Sequence, residues 1–357
     1  MRFFNWKWGI LIVLALGIKV FSLFPEAVER YYANGFYPLI SRFQRIVLGW
    51  IPFSVGDILY AVAVLAFVRW AVLFSKKLLY RRITRSVMLQ VFRGGLATAL
   101  IIYVWFNLSW GLNYNRPSLA SRMDLAVEMP AKEELANLML HLAGRVNTLY
   151  PDALARREAL HRHAPLFTGA VQAYADLARI DTGYTYTFPA IKASMFSYPG
   201  NYLGFTGYYN PFTGEAQVNT RVPEFIRPFT TCHEIGHQLG YAKESEANFA
   251  GFLAASASSD AAFRYSAYFD MYSYARGYLY RQDSLLLRQI DAALLPGVRA
   301  DFRELRNFSL RYANPVEVLI DRWYAQYLRA NQQPSGKVSY NEVILLLMAW
   351  YKKNGSV

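Results

Sequence analysis

Three apolar segments in the first third of the chain limit what that part can fold into. They run from Trp8 to Phe24, from Val55 to Phe74 and from Gly94 to Trp110. Each approaches the ~20 residues that a helix needs to cross the apolar core of a bilayer. Inside a bilayer, backbone N–H and C=O groups must be paired within the chain, which restricts such segments to helices. The sequence therefore predicts a membrane anchor of about three transmembrane helices over residues 1–110.

The first of these segments also has the position of a signal peptide. It lacks a convincing small-residue cleavage site before Pro25, and two further apolar segments follow it. An uncleaved, multi-pass anchor is therefore the favoured interpretation, with the membrane bilayer as one partner of the chain.

Basic residues are distributed unevenly along this region and predict its orientation. The chain has a formal net charge of +13, and five basic residues crowd the loop between the second and third segments. They are Lys76, Lys77, Arg81, Arg82 and Arg85. The positive-inside rule places this loop in the cytoplasm. The third crossing then delivers residues 111–357 to the extracytoplasmic side of the cell (inner) membrane.

The loop between the first two segments, Pro25 to Ser54, alternates apolar and basic residues. This pattern is typical of a helix that lies on the membrane surface, here the outer one. The chain carries no basic stripe interleaved with stacking aromatics and no nucleic-acid fold signature, so we expect no nucleic-acid partner.

Residues 111–357 read as one mostly helical domain. Apolar residues recur with helical spacing in six runs. The runs are Ala131–Leu149, Ala164–Ala178, Ala261–Leu279, Ser284–Leu294, Pro315–Ala330 and Tyr340–Tyr351. Between Asn201 and Thr220, β-forming residues flank the turn sequence Asn210-Pro211-Phe212-Thr213-Gly214, which predicts a β-hairpin. The predicted fold is mostly α, with transmembrane helices followed by an α+β domain that contains a small antiparallel sheet or hairpin.

The sequence His233-Glu234-Ile235-Gly236-His237 carries the most specific chemistry in the chain. It lies on a helix predicted to begin near Pro228 and to end at Gly240. The two histidines are spaced i and i+4, so their imidazoles project together and can share one tetrahedral Zn²⁺. Glu234 is too close along the helix to be a natural third ligand, but it can take a proton from an attacking water.

A third zinc ligand has to come from elsewhere. In the pattern HExxHxxGxxH it would fall at Lys243, and lysine is a poor zinc ligand. Two glutamates follow at once, Glu244 and Glu246, and Glu246 begins a second helix, EANFAGFLAASA, whose small residues let it pack closely on the histidine helix. We favour Glu246 over Glu244 as the ligand. Cys232, the single cysteine, precedes His233 directly and is expected to pack inward as a small apolar residue.

HEIGH followed by EANFAGFL resembles the gluzincin type of zinc metallopeptidase, in which a helix with an E-A-N or E-A-D motif follows HExxH. In that type the glutamate of the second motif is the third zinc ligand, which corresponds to Glu246. The wider chain resembles a bacterial family known as a domain of unknown function, with N-terminal membrane spans and a zincin-like domain. That resemblance rests on NYLGFTGYYNPFTGEAQVN, on HEIGHQLGYAKESEANF and on SYNEVILLLMAWY. It implies a zincin fold and hydrolase chemistry.

The resulting expectation is a membrane-anchored zinc metallohydrolase that acts on a peptide or protein substrate, with Glu234 as general base. Zincins hold an extended peptide along a sheet edge, which Gly204–Tyr208 or Glu215–Thr220 can supply. Tyr272 and Tyr340 are candidates to stabilise the transition-state oxyanion. Two alternatives stay open: a non-proteolytic binding or scaffold protein with a structural or vestigial zinc, and a zinc hydrolase that acts on an amide of cell-wall material.

Overall fold

A computed structural model of the chain describes residues 6–80, 83–331 and 339–355. Its N-terminal part is entirely helical in the described residues. The helices are α1 (Trp6–Phe21), α2 (Pro25–Ala27), a π-helix (Val28–Phe36), α3 (Tyr37–Leu48), α4 (Val55–Leu79) and α5 (Arg85–Ser109).

Helices α4 and α5 are both long and apolar enough to span a membrane. The start of α4 at Val55 confirms the predicted second segment, whereas α5 begins at Arg85 rather than at Gly94. Each begins with a capped turn: Ser54 accepts a hydrogen bond from the backbone of Asp57, and Thr84 accepts one from Val87. The first predicted segment forms α1, which joins the helical stretch Pro25–Leu48 through a bend of 105°. The described residues therefore offer two spans, or up to three if that bent pair counts as one.

The stretch Pro25–Leu48 forms a helix with apolar residues on both its inner and its outer face. The buried residues include Val28 and Tyr32 together with the polar Ser41 and Arg45. The exposed face presents large apolar residues, which include Phe36, Leu39, Phe43 and Val47. The helix therefore packs on the rest of the protein through both apolar and polar side chains and also carries apolar residues outward.

The remaining chain forms eleven further α-helices in the described residues. They are α6 (Leu119–Arg122), α7 (Lys132–Arg156), α8 (His163–Ala178), α9 (Ser197–Leu203), α10 (Arg227–Gln238), α11 (Glu244–Ala257), α12 (Ala261–Gln282), α13 (Ser284–Ala292), α14 (Pro296–Tyr312), α15 (Pro315–Ala330) and α16 (Ser339–Asn354). The six predicted helical runs correspond to α7, α8, α12, α13, α15 and α16. Helix α14 was not predicted; its sequence PGVRADFRELRNFSLRY is mostly polar and buries only Val298 and Asp301.

Helix α11 lies at the centre of the main core. It contacts α8, α10, α12 and α16, and every residue from Glu244 to Ala255 is buried. A helix with neighbours on all sides needs small or apolar residues around its whole circumference. The sequence ANFAGFLAA meets that requirement, which explains why α11 shows no one-sided apolar stripe.

The sheet has three short strands, β1 (Ile191–Ala193), β2 (Gly207–Asn210) and β3 (Glu215–Val218). The strand order is β1-β3-β2, with β3 antiparallel to β2 and parallel to β1. The predicted hairpin is confirmed for β2 and β3, with Gly214 at φ +70° in the turn. The sheet is nevertheless mixed rather than antiparallel, because β1, for which no sequence pattern was found, pairs in parallel with β3.

A second apolar cluster joins the two regions that the sequence placed on either side of residue 110. It combines Val28, Tyr32 and Tyr37 with Trp110 from the end of α5 and Tyr209 from β2. Residues of the predicted anchor therefore form part of the same packed body as the sheet.

Candidate metal centre

Helix α10 carries the predicted metal-binding pair. Pro228 lies in its first turn, where the missing N–H costs nothing, and Gly240 follows its end at φ +90°. The rings of His233 and His237 lie with centroids 4.7 Å apart. Ligand atoms of these two histidines and of Glu234 all lie within 4.8 Å of one another. The helix thus brings the three residues together as the i, i+4 spacing predicts.

Helices α10 and α11 approach each other at two glycines. A Cβ added at Gly251 would lie 2.9 Å from both the backbone nitrogen and the Cα of His233. A Cβ at Gly236 would lie 3.2 Å from the carbonyl oxygen of Ala247. Only small side chains permit this contact, so the expected close packing of the second helix is confirmed.

The structure places Glu244, rather than Glu246, beside the histidine pair. Glu244 lies beside the histidine pair: its carboxylate oxygens are 3.4 Å from Nε2 of His233 and 3.7 Å from Nε2 of His237. The two glutamates are two positions apart on a helix of 3.6 residues per turn, so they face nearly opposite directions. Only one of them can face α10, and the structure gives that place to Glu244.

Glu246 points to the other side of α11 and is held there by three partners. Its carboxylate accepts a hydrogen bond from the backbone of Leu119 at 2.9 Å and forms ion pairs with Arg122 and Lys243, each at 3.4 Å. The prediction of Glu246 at the histidine pair is therefore contradicted by this geometry. The expected inward packing of Cys232 is confirmed, since its side chain is buried in the main core.

The donor set of two imidazole nitrogens and one carboxylate fits a zinc ion. Ligands bound about 2.1 Å from a tetrahedral zinc lie roughly 3.4 Å from one another. The separations from Glu244 to the two histidines, 3.4 and 3.7 Å, match that spacing and are long for direct hydrogen bonds. Two buried atoms at the site, Nδ1 of His233 and Oε2 of Glu234, also have no hydrogen-bond partner within the described chain.

Outer contacts orient two of these ligands. Nδ1 of His237 lies 2.7 Å from the carbonyl oxygen of Tyr241, so that nitrogen carries the proton and Nε2 keeps its lone pair for the site. The hydroxyl of Tyr324 donates to Glu244 at 2.6 Å. Tyr324 lies on α15, far from the motif in sequence, and no local pattern marks it as part of the site.

Burial and mutual charge shift the pKa values of the site. Burial raises the pKa of Glu234 to about 7, opposed by the neighbouring histidines and reinforced by Glu244. Burial also acts to raise the pKa of Glu244, but its contacts with His233 and His237 outweigh burial and hold the pKa well below the usual range. Burial lowers the pKa of His237, yet its contact with Glu244 produces a net increase. A ligand nitrogen must be unprotonated, so a cation that binds here competes with the proton of His237.

Residues of the N-terminal region bind the carbonyl groups at the end of α10. Trp110 donates its indole N–H to the carbonyl oxygen of His237 at 3.1 Å. The carbonyl of Gln238 accepts hydrogen bonds from Tyr37, Ser41 and Arg45. The last carbonyls of a helix have no partner within it. The helix at residues 25–48 and the end of α5 therefore fix the end of α10 directly.

Strand β2 passes over the side of α10 that carries Glu234. A Cβ added at Gly207 would lie 2.6 Å from Oε1 of Glu234, so the backbone of this strand touches the carboxylate. The strand order makes β2 an edge strand and β3 the centre, which leaves the Gly204–Tyr208 side of the hairpin as the edge and excludes Glu215–Thr220.

A cavity of about 1230 Å³ opens in front of these residues. The candidate ligands His233, His237 and Glu244 lie on its wall together with Glu234. Tyr272 does not contribute, since its hydroxyl donates to Asp291 at 2.8 Å away from the lining. The side chain of Tyr340 lies outside the described residues.

Fold and site together define a mostly helical protein with two or three candidate membrane spans, a small mixed sheet and a buried His-Glu-His cluster that opens on a cavity. The chain belongs to the family described as "Protein of unknown function (DUF3810)", whose model matches residues 32–348. The match begins within the helix at residues 25–48 and includes both apolar helices. Searches of the curated proteins and of the solved structures found no match.

Proposed function

We propose that this protein is a membrane-anchored zinc metallohydrolase that cleaves peptide bonds, with a zincin-like catalytic domain. The observation that supports this most directly is the convergence of His233, His237 and Glu244 at zinc-ligand spacing, with Glu234 beside them on the cavity wall. A structural zinc site is closed by four protein ligands, whereas a catalytic site keeps an open position. A three-residue donor set that faces a cavity favours the catalytic type.

The chemistry divides between the metal and Glu234. A bound zinc ion would polarise the scissile carbonyl and make water more acidic. Glu234 accepts a proton from the attacking water as its oxygen adds to the carbonyl carbon. When the C–N bond breaks, Glu234 returns that proton to the amine that leaves. The buried position of Glu234, 3% exposed, excludes bulk water from this transfer.

Strand β2 supplies a place for the peptide backbone. The carbonyl oxygen of Thr206 accepts a hydrogen bond from Asn219, so Thr206 belongs to the ladder with the neighbouring strand. Bonds alternate along an antiparallel pair, which turns the N–H and C=O groups of Gly207 and Tyr209 toward the free edge. An extended peptide that adds to this edge passes directly beside Glu234.

The proposed location is the cell (inner) membrane, with the site on its extracytoplasmic side. The end of α4 and the start of α5 carry Lys76, Lys77 and Arg85, and positive charge favours the cytoplasmic face. The site lies at the opposite end of both helices, near the start of α4 and the end of α5. The apolar outer face of the helix at residues 25–48 suits the outer membrane surface.

The test compares the full-length protein in detergent or nanodiscs with its Glu234→Gln variant. We expect both to retain about one equivalent of zinc, and only the parent to hydrolyse members of a broad peptide library. Zinc binding with no hydrolysis by the parent would refute the enzymatic proposal and favour the scaffold alternative. Absence of zinc from the parent after reconstitution would refute the metal site itself.

A further inference from the structure

The cavity at the metal centre continues along the two candidate membrane spans. Tyr60 of α4 and four residues of α5 line it, namely Ala99, Ile102, Tyr103 and Phe106. Ile102 is 50% exposed, so this wall ends at a surface that faces outward from the protein. In a membrane that surface faces lipid, and the cavity therefore connects the metal centre with the bilayer.

The far wall of the same cavity is also apolar and aromatic. It consists of Ile320, Tyr324 and Tyr327 on α15 and of Phe196, Leu203, Phe205 and Phe212 around the sheet. A passage with such walls accepts an apolar chain from the lipid phase without contact with water.

The charged side chains on the cavity wall limit which polar groups an otherwise apolar ligand can carry. The chain contains 38 lysines and arginines, yet none lines the cavity in the part of the chain that the structure describes. The acidic and basic side chains on the wall, apart from the two histidines, are carboxyl groups: Glu234, Glu244, Asp270 and Asp321. Away from the metal centre, a phospholipid head group would meet no lysine or arginine on the described wall. The polar part of the ligand that lies along this wall is therefore neutral or positively charged.

The width of the passage concerns the apolar part of the ligand. A single acyl chain is much narrower than a helix, which is about 10 Å across. Such a chain can lie along the apolar wall of Tyr60, Ala99 and Ile102 while a peptide occupies the metal centre.

We propose that the substrate is a lipid-anchored peptide: its acyl chain lies against α4 and α5, and its uncharged or basic peptide portion reaches Glu234 along β2. This inference rests on the proposed hydrolase function and adds the substrate class to it. Lipid tails are as apolar as the cavity wall, so the acyl chain gains little free energy when it moves from the bilayer into the cavity. The effect of the cavity is to orient the substrate, because it guides the amide of an anchored peptide to the metal centre.

The test uses one neutral fluorogenic peptide in two forms, N-palmitoyl and N-acetyl, with the full-length protein in nanodiscs. Ile102→Trp fills the passage at its lipid end, and Ala99→Trp is a second blocking variant. Ile101→Trp is the matched control, because Ile101 is 54% exposed on the same helix but does not line the cavity. Membrane partition favours the palmitoyl peptide equally in every variant, so comparison among variants isolates the passage.

We expect the parent and Ile101→Trp to prefer the palmitoyl peptide, and the two blocking variants to lose at least about tenfold in kcat/KM for it. Their kcat/KM for the acetyl peptide should stay within about threefold of the parent value. Equal loss of both activities in Ile102→Trp and Ile101→Trp, or no loss in either blocking variant, would overturn the proposal. Faster cleavage of a non-acylated peptide with a transmembrane segment would overturn it in favour of a spanning substrate.

Binding separates this inference from the proposed function. Binding of a fluorescent palmitoyl peptide is measured with the Glu234→Gln protein. If it binds, and Ile102→Trp weakens the binding while Ile101→Trp does not, the ligand class is supported even where the parent shows no hydrolysis. If peptides are hydrolysed without regard to acylation, the hydrolase stands and the ligand class is wrong.

Discussion

The assignment of Glu244 as third ligand leads to a paired experiment with opposite expected results for two neighbouring glutamates. Glu244→Gln and Glu246→Gln change the same functional group on the same first turn of α11. The carboxylate of Glu244 lies 3.4 and 3.7 Å from the two histidines, whereas that of Glu246 contacts Leu119, Arg122 and Lys243.

For Glu244→Gln we expect the dissociation constant for zinc to rise at least about hundredfold. Substitution of a residue that only hydrogen-bonds to a ligand weakens metal binding ten- to hundredfold. Loss of the ligand carboxylate itself should therefore weaken binding by at least about hundredfold. This corresponds to about 2.7 kcal/mol of binding free energy. The free energy of unfolding without metal should change by less than this loss of binding free energy.

For Glu246→Gln the expected loss is in stability. The variant keeps an acceptor for the backbone of Leu119 but removes two ion pairs whose side chains are 7% to 21% exposed. Hydrogen bonds and ion pairs of this partly buried type are worth about 1–3 kcal/mol together, after allowance for solvent. Zinc affinity should stay within about threefold of the parent value, since Glu246 does not face the histidines.

The assay is competition for zinc with a chromophoric chelator, combined with thermal unfolding in excess chelator. Excess chelator is necessary because zinc stabilises whichever variant binds it. Hundredfold weaker zinc binding in Glu246→Gln with parent-like binding in Glu244→Gln would refute the structural assignment and restore the prediction from sequence. Parent-like zinc binding in both variants would refute a carboxylate ligand from this helix.

Three further changes test other contacts of the site. Gly207→Ala places a methyl group 2.6 Å from the carboxylate of Glu234, so we expect about tenfold or greater loss of kcat with zinc content unchanged; loss of zinc would contradict this. Gly251→Ala places a methyl group 2.9 Å from the backbone of His233. We expect it to lower the free energy of unfolding by about 1–3 kcal/mol, measured by thermal unfolding. Burial raises the pKa of Asp270 well above 3.8, so the folded state keeps a proton that the unfolded state releases. Asp270→Asn should therefore stabilise the protein more at about pH 8 than at about pH 5, and an equal effect at both pH values would refute this.

Gly144→Ala is the matched control for both glycine substitutions. A Cβ at Gly144 meets no atom within 4 Å, and the residue lies within α7. The greater helix propensity of alanine should leave stability unchanged or raise it by up to about 1 kcal/mol. Comparable losses in all three variants would show that the effects are not specific to the metal centre.

Local sequence determined much of this protein. The spacing of His233 and His237 brings the two imidazoles together because helical geometry fixes the relation of i to i+4. The apolar runs predicted α4 and α5, and the small residues of α11 predicted its close approach to α10. Helical spacing and apolar runs depend on neighbours along the chain, and close helix packing depends on the absence of large side chains. Both can be read from the sequence.

The tertiary structure decided what depends on distant partners. Glu244 faces the histidine pair because the crossing of α10 and α11 admits only one of the two glutamates, while Arg122 and Lys243 hold Glu246 on the other side. The pairing of β1 with β3 makes β2 the edge strand. Tyr324 reaches Glu244 across 80 residues of sequence, and no periodic pattern records such a contact. The boundary predicted near residue 110 followed composition, but Tyr37 and Trp110 bind the carbonyls at the end of α10 and join the N-terminal helices to the candidate site.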